Sequence, residues 1–344
     1  MITIASAVHS LHDPDAAGPM PNGRPYLDMA SRAANLLAMV HELGHSVTYA
    51  PDHGLVPIAA VHDAGYLEFL RTGFDRWQAE GGSGPILRAW AFALRQMGRR
   101  PEAVMGQAGY YLSGASSPLV AGTWQAAVAS AHVAVDGAAR VLAGAREAYA
   151  LCRPSGHHAY ADLAGGFCYL NNAAIAAQHC VDAGRRVAIL DIDVHHGNGT
   201  QGIFYRTDQV FFCSVHEDPN ATYPWYAGYA DETGEGAGGG ANLNLPLPPG
   251  TGDAGWLAAV ARGVAAVGQA RAQVLVVSLG FDAAAGDPTA NLQVSPDGFQ
   301  AAGRLIAQAG LPTVLVQEGG YLIERLGGNL HAFLDGFLGA RVSV

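Results

Sequence analysis

The run Asp191–Thr200, DIDVHHGNGT, gathers two aspartates and two histidines ahead of a Gly-Asn-Gly breaker. It follows the apolar Val187–Leu190, itself preceded by the turn-like Ala183-Gly184-Arg185-Arg186. A short apolar run bounded by turn residues predicts a buried strand. Side chains two apart on a strand point the same way, so Asp191, Asp193 and His195 share one side as far as the strand lasts. Crowding ionisable groups on a buried side is costly unless a cation or hydrogen bonds compensate. Carboxylate and imidazole at this spacing suit a divalent metal of borderline softness, zinc above all. The plain alternative is a polar turn closing a strand.

Three other apolar runs end in the same manner. Ala148–Leu151 leads into Cys152-Arg153-Pro154-Ser155-Gly156-His157-His158, Val274–Leu279 into Gly280-Phe281-Asp282, and Pro312–Val316 into Gln317-Glu318-Gly319-Gly320-Tyr321. In open α/β sheets ligands bind beyond the carboxyl ends of the strands, so these ends are expected at one edge. Asp193, His195 and Asp282 make a three-ligand set, and a fourth position left to water is the pattern of a catalytic metal. Such a metal lowers the pKa of its water and polarises a carbonyl. His157 and His158 suit a general base and acid. Asp191 and Asn198 suit partners that orient those rings. Tyr321, freed by the preceding glycines, suits a donor to a developing oxyanion. Together these parts describe hydrolysis of an amide or ester.

The elements that would position them alternate. Strands are expected at Ile2–Ala5, His45–Ala50 and Val210–Val215 as well as the four above. Helices are expected at Asp28–Leu43, Trp124–Ala145, Asn171–Asp182, Trp256–Gln269, Phe299–Ala309 and Asn329–Leu338, with short helical turns at Pro57–Tyr66 and Leu67–Leu70. His12–Pro25 reads as a loop. Pro219–Gly252 is dense in Gly and Pro and carries no helix signal. The alternation argues one α/β domain over residues 1–344 with a mostly parallel sheet. Residues from about 80 to 101 stand apart as an excursion, glycine-rich at the start and closed by Gly-Arg-Arg-Pro around an apolar piece, Ile86–Leu94. Long loops of this kind make contacts or serve function; a packed surface helix is the alternative.

Composition narrows the classes. The net charge is −10, with no basic block and no basic-aromatic stripe, so nucleic acid is an unsuitable partner. All 19 basic residues are arginine, which excludes Schiff-base lysines, a lysine-bound pyridoxal cofactor and a phosphate-loop lysine. No apolar run approaches the ~20 residues of a membrane span. The first residues lack the pattern of a secretory leader. The expectation is a soluble cytoplasmic protein whose Cys152, Cys168, Cys180 and Cys213 are buried thiols.

The stretches RPSGHHA, GGFCYLNNAAIAA, LDIDVHHGNGTQ, SLGFDAAAGDP and QEGGY, in this order, resemble the zinc-dependent histone deacetylase family, and most of all its bacterial acetylpolyamine amidohydrolase branch. The resemblance covers nearly the whole chain. It implies the three-layer arginase/deacetylase fold with a central, mostly parallel eight-stranded sheet. It implies one Zn²⁺ on Asp193, His195 and Asp282, with His158 as general base, His157 as the paired imidazole and Tyr321 as carbonyl polariser. A monovalent cation, K⁺, is implied near Asp191 and Ser214 with backbone oxygens of Asp193 and His195. Gly166, Phe167 and Tyr223 match positions lining a substrate channel. The implied activity removes acetyl or other short acyl groups from small acylated amines, with protein acetyl-lysine as the alternative substrate. The implied assembly is a homodimer in which the excursion narrows the neighbour's channel.

Two departures bear on this. Some members carry Asp at the position of Asn198. Polyamine-hydrolysing relatives carry Glu at the position of Met105 and another near Ser116, where carboxylates receive a distal ammonium. A two-manganese ureohydrolase needs a second carboxylate two residues past Asp282, where this chain has Ala284. A non-catalytic binder of acylated amines would be expected to lose Tyr321 or one of the paired histidines, and all are present.

Overall fold

Period-two alternation in the apolar runs sets the architecture. In the computed structural model, which describes residues 1–20, 23–95 and 97–342, eight strands form one all-parallel sheet. In chain order they are β1 (Ile2–Ala5), β2 (Ser46–Tyr49), β3 (Glu147–Ala150), β4 (Val187–Asp191), β5 (Val210–Glu217), β6 (Asn242–Leu247), β7 (Val274–Leu279) and β8 (Thr313–Gln317). Their spatial order is β2-β1-β3-β8-β7-β4-β5-β6. Parallel strands need long crossovers, and helices supply most of them. These are α1 (Ala30–Glu42), α2 (Val56–Ala59), α3 (Ala64–Ala79), α4 (Val104–Tyr111), α5 (Thr123–Leu142), α6 (Asn172–Asp182), α7 (Asn198–Phe204), α8 (Asp253–Gln269), α9 (Pro296–Ala307) and the closing α10 (Ile323–Val342).

β4 and β7 are buried along their whole length, as central parallel strands covered on both faces are. Val187 and Ile189 of β4 face a core shared with α3, α5 and α6. Ala188 and Leu190, one residue out of phase, face a second core with Trp256 of α8, Phe299 of α9 and Phe333 of α10. The result is the three-layer fold expected above. None of the described helices is long and apolar enough to cross a membrane. All four cysteines are buried free thiols.

The differences from expectation have local causes. Residues expected as short turns at 57–70 form α2 and then a continuous α3. Asp63 caps α3 by accepting from the backbone N–H of Gly65 and Tyr66, and Tyr66, Phe69, Leu70 and Phe74 form its buried stripe. The Gly- and Pro-rich span 219–252 contains β6, an edge strand on β5, where Pro246 is tolerated because it need not donate to a second neighbour. α4 and α7 were not expected. Between α3 and α4 the described residues form no helix. Leu87 is buried and pairs with Leu119 in an isolated antiparallel bridge, so the excursion is pinned at that point. His62, buried just ahead of α3, accepts from the Asn171 N–H at the start of α6.

Candidate active site

β3, β8, β7 and β4 are consecutive neighbours in the sheet. Their carboxyl ends therefore deliver the imidazole pair, Tyr321, Asp282 and the DIDVHH run to one stretch of sheet edge. β4 itself ends at Asp191, so Asp193 and His195 project from the loop beyond it rather than from the strand. That loop is held by its own carboxylates. Asp191 Oδ1 accepts from the Asp193 N–H at 3.1 Å, and Asp193 Oδ1 from the His195 N–H at 3.0 Å.

Asp193, His195 and Asp282 come together, with one ligand atom from each lying within 4.8 Å of the others, all buried. His195 Nδ1 stands 3.2 Å from Asp193 Oδ1 and 3.2 Å from Asp282 Oδ2. The remaining oxygens are spoken for: Gly319 N–H donates to Asp193 Oδ2 at 2.8 Å, and Val194 N–H to Asp282 Oδ1 at 3.0 Å. Asp282 Oδ2 is buried without an aligned hydrogen bond. Burial pushes the Asp282 carboxyl up to about 7, and the Asp193 charge adds to it. Burial opposes charge on His195, but the Asp193 and Asp282 carboxylates beside it outweigh it and hold the ring's pKa well above its usual value. Two buried carboxylates that lean on one imidazole for countercharge, one with an orphaned oxygen, form a donor set that fits a divalent cation. Glycines make the room. A Cβ on Gly280 would meet Asp193 Oδ2 at 2.2 Å, and one on Gly319 would meet Asp282 Oδ2 at 2.1 Å.

His157 and His158 lie with ring centroids 3.9 Å apart and planes tilted by 38°, yet their environments differ. His157 Nδ1 bonds Asp191 Oδ2 at 2.9 Å. Burial works against its charge, but Asp193 and Asp191 overcome it and push the pKa up to about 10. His158 Nδ1 bonds the Asn198 amide oxygen at 2.7 Å. Burial first, then the neighbouring His157 and His195, hold His158 well below the usual imidazole range. An amide oxygen only accepts, so Nδ1 of His158 carries the proton and Nε2 is left with its lone pair. Gly166 (φ +51) lies so close that a Cβ there would meet the His158 ring at 2.2 Å.

A cavity of about 480 Å³ opens over His158 and His195, lined by Phe167, Tyr223, Trp225 and Tyr321 among others. Tyr223 meets the His158 ring edge-on at 4.7 Å, and Phe167 lies 5.5 Å from Tyr321. Burial holds the Tyr321 phenol well above its usual pKa, so it keeps its proton. Its backbone N–H donates to Asp287 Oδ2 at 2.8 Å, and the Arg32 guanidinium lies 4.6 Å over its ring. Ser116 lines this cavity; Met105 does not, and packs instead beside Trp90–Ala93. Ser214 sits beside Asp191 in register, but its hydroxyl bonds the His216 ring at 2.9 Å. Another cavity, of about 500 Å³, lies by the amino ends of β4 and β5, away from these residues. Sequence reasoning missed Arg32, Asp287 and Glu318. Asp287 and Glu318 lay inside the quoted motifs as carboxylates without an assigned role. Arg32 sits in α1 with no local signal, and reaches the Gly320 carbonyl from 288 residues away.

A buried aspartate–histidine–aspartate cluster at a parallel sheet edge, with an imidazole pair and a tyrosine beside it, fits a metal-dependent hydrolase. The model of the histone deacetylase domain matches residues 29–337, and the chain belongs to that family of deacetylases. It is 45% identical over 344 residues to acetylpolyamine amidohydrolase 1 of Pseudomonas aeruginosa, covering 99% of each chain. It is 43% identical over 318 residues to the acetylpolyamine amidohydrolase of Mycoplana ramosa, covering 92% of this chain and 93% of that one. The crystal structure of an acetylpolyamine aminohydrolase from Burkholderia pseudomallei superposes with a TM-score of 0.94 at 43% identity, covering 99% of each chain.

Proposed function

We propose that the protein hydrolyses the amide of small N-acetylated or short-acylated amines, acetylpolyamines among them, as one deacetylase domain spanning the chain. The observation that carries this is the meeting of the Asp193–His195–Asp282 cluster with the His157–His158 pair and Tyr321 at the floor of one aromatic-walled cavity. A zinc ion on those three residues would supply Lewis acidity to a carbonyl and a water of lowered pKa. The other groups divide the remaining work. His158, kept neutral with Nε2 free, takes the proton of the attacking water and returns one to the departing amine nitrogen as the C–N bond breaks. His157, whose Nδ1 bonds the Asp191 carboxylate, is placed to hold positive potential beside the developing oxyanion. Tyr321 keeps its proton and donates to the same oxygen. Phe167 and Tyr223 wall a slender linear substrate. A K⁺ ion between Asp191 and Ser214, with the Asp193 and His195 carbonyls, would brace the same loop.

Among the described residues, no carboxylate lines the cavity, while Arg24 and Ser116 do. Neutral and monocationic amides are therefore expected to compete well with polyamines. The protein is read as a homodimer joined through residues 80–101, where Trp90 is 86% exposed, Leu94 64% and Met97 67%.

The test is a panel of acetylated diamines, acetyl-lysine peptides and neutral anilides compared by kcat/KM, with and without chelator. Turnover is expected on the small amides, lost on chelation and restored by zinc. Asp282→Ala should retain neither zinc nor turnover. Two metal equivalents bound in one cluster, or chelator-insensitive turnover, would refute the reading.

A further inference from the structure

Glu318 follows the last residue of β8, yet the chemistry above gives it no task. Its side chain is fully buried. Oε2 accepts from the backbone N–H of Gly156 at 2.7 Å and of His157 at 3.2 Å. These are consecutive amides in the turn that carries the imidazole pair. The Glu318 N–H donates to the Leu279 carbonyl at the end of β7, and its own carbonyl accepts from Arg32 Nη2 at 2.7 Å. One residue thus joins the turn after β3 to the turn bearing Tyr321 and to β7. The gripped turn also has no slack on its other side, since a Cβ on Gly156 would meet the Asn172 nitrogen at 2.4 Å.

The other carboxyl oxygen, Oε1, has no hydrogen-bond partner. Donor atoms of His157 and Cys168 lie within 4.8 Å of the carboxyl group. That trio does not read as a metal site. The Cys168 thiol points to the Gly166 carbonyl at 3.4 Å, and His157 already serves Asp191. A buried acid with one oxygen unpaired is costly, and packing alone would favour an apolar residue there. The two backbone amides are what the cost secures; without Glu318 they would be buried and unpaired.

We propose that Glu318 is a positioning residue for the imidazole pair, setting where His157 and His158 stand relative to the metal cluster and Tyr321 by holding the Gly156 and His157 amides. It rests on the deacetylase reading, since those rings matter for turnover only there. A displacement of about 1 Å at a proton-transfer group costs on the order of 100-fold in rate.

The test compares Glu318→Gln, Glu318→Asp and Glu318→Ala in the zinc-loaded protein. Gln keeps an oxygen at the right reach and should restore most of kcat. Asp withdraws the carboxyl by one methylene, and Ala removes it. Both should lose between about 10- and 100-fold in kcat, with KM within about twofold and full zinc content. Amide exchange over residues 155–159, measured without substrate, should speed up in Asp and Ala and stay slow in Gln. If Ala fails to fold, the Gln and Asp pair decides. Wild-type kcat and exchange in Asp, a Gln variant as impaired as Asp, or zinc lost in step with kcat would each overturn the proposal. Because exchange needs no turnover, a wild type inactive on every acylated amine would sink the deacetylase reading while the exchange pattern still judged the grip.

Discussion

Asp191 and Asn198 give two adjacent imidazoles opposite characters. A carboxylate under His157 favours the charged ring, and an amide under His158 leaves it neutral. The Asp193 charge raises His157 further, while burial and the neighbouring rings lower His158, and the unlike charge of the two orienting partners was legible in sequence. Tyr321 is the residue whose contribution is easiest to isolate. If its hydroxyl donates to the carbonyl oxygen as negative charge appears there, as proposed, Tyr321→Phe should cost roughly 10²–10³ in kcat and leave KM little changed. Steady-state kinetics on an acetylated small amine checks this, and a near-normal kcat would remove Tyr321 from the reaction. The residues that sequence reasoning did not reach are those acting from a distance. Arg32 contacts Tyr321 and its turn across the whole length of the chain, and no spacing rule connects the two.

At the scale of elements, the strand ends were readable because each apolar run stops at polar residues. The order of the strands was not, since four parallel runs with similar composition permit many arrangements. α7 was obscured by the Gly-Asn-Gly that opens it, and β6 by the glycines before it. The glycines at the ends of β7 and β8 show why local composition misleads here. They do not break the elements; they make space for the carboxylates. Gly319→Ala should push on both Asp282 and Asp193. The expected outcome is a folded protein with an unchanged far-ultraviolet spectrum that binds well under one zinc per chain and has lost more than about tenfold in activity. A variant that kept full zinc would show that the carboxylates have room to yield.

Whole-molecule behaviour depends on groups away from the Asp193–His195–Asp282 cluster. His12, His62 and His216 are buried and neutral, with pKa values pushed down by burial to about 3, 4 and 4. The unfolded chain takes up these protons at about pH 6.5. The contribution of these three rings to stability is therefore intact above that pH and falls as pH drops from about 6.5 toward 4, by about 1.4 kcal/mol per pH unit for each ring. The melting temperature should fall over that window, and more shallowly in His62→Gln; parallel slopes would clear His62 of the effect. Assembly is the other property at this scale. The excursion was visible as a compositional island, but its form was not, because Leu87 is fixed by a distant partner, Leu119. Light scattering should show a dimer. Replacing Trp90 and Leu94 together by Ser should give a monomer with improved activity on bulky peptides relative to small amides, and a monomeric wild type would end the dimer reading.

β8 is the last strand in sequence, yet it lies between β3 and β7. Without residues 313–317 the sheet would be two ribbons, β2-β1-β3 and β7-β4-β5-β6, with no strand-to-strand backbone ladder joining them. The imidazole pair rides on the first ribbon and the Asp193–His195–Asp282 cluster on the second. Joining them requires closure over long stretches of chain, the slow kind of step in parallel sheets. During synthesis from the amino end, the ribosome thus releases nothing able to catalyse until its final strand threads the gap. An interrupted translation product, however long, is inert unless it includes β8.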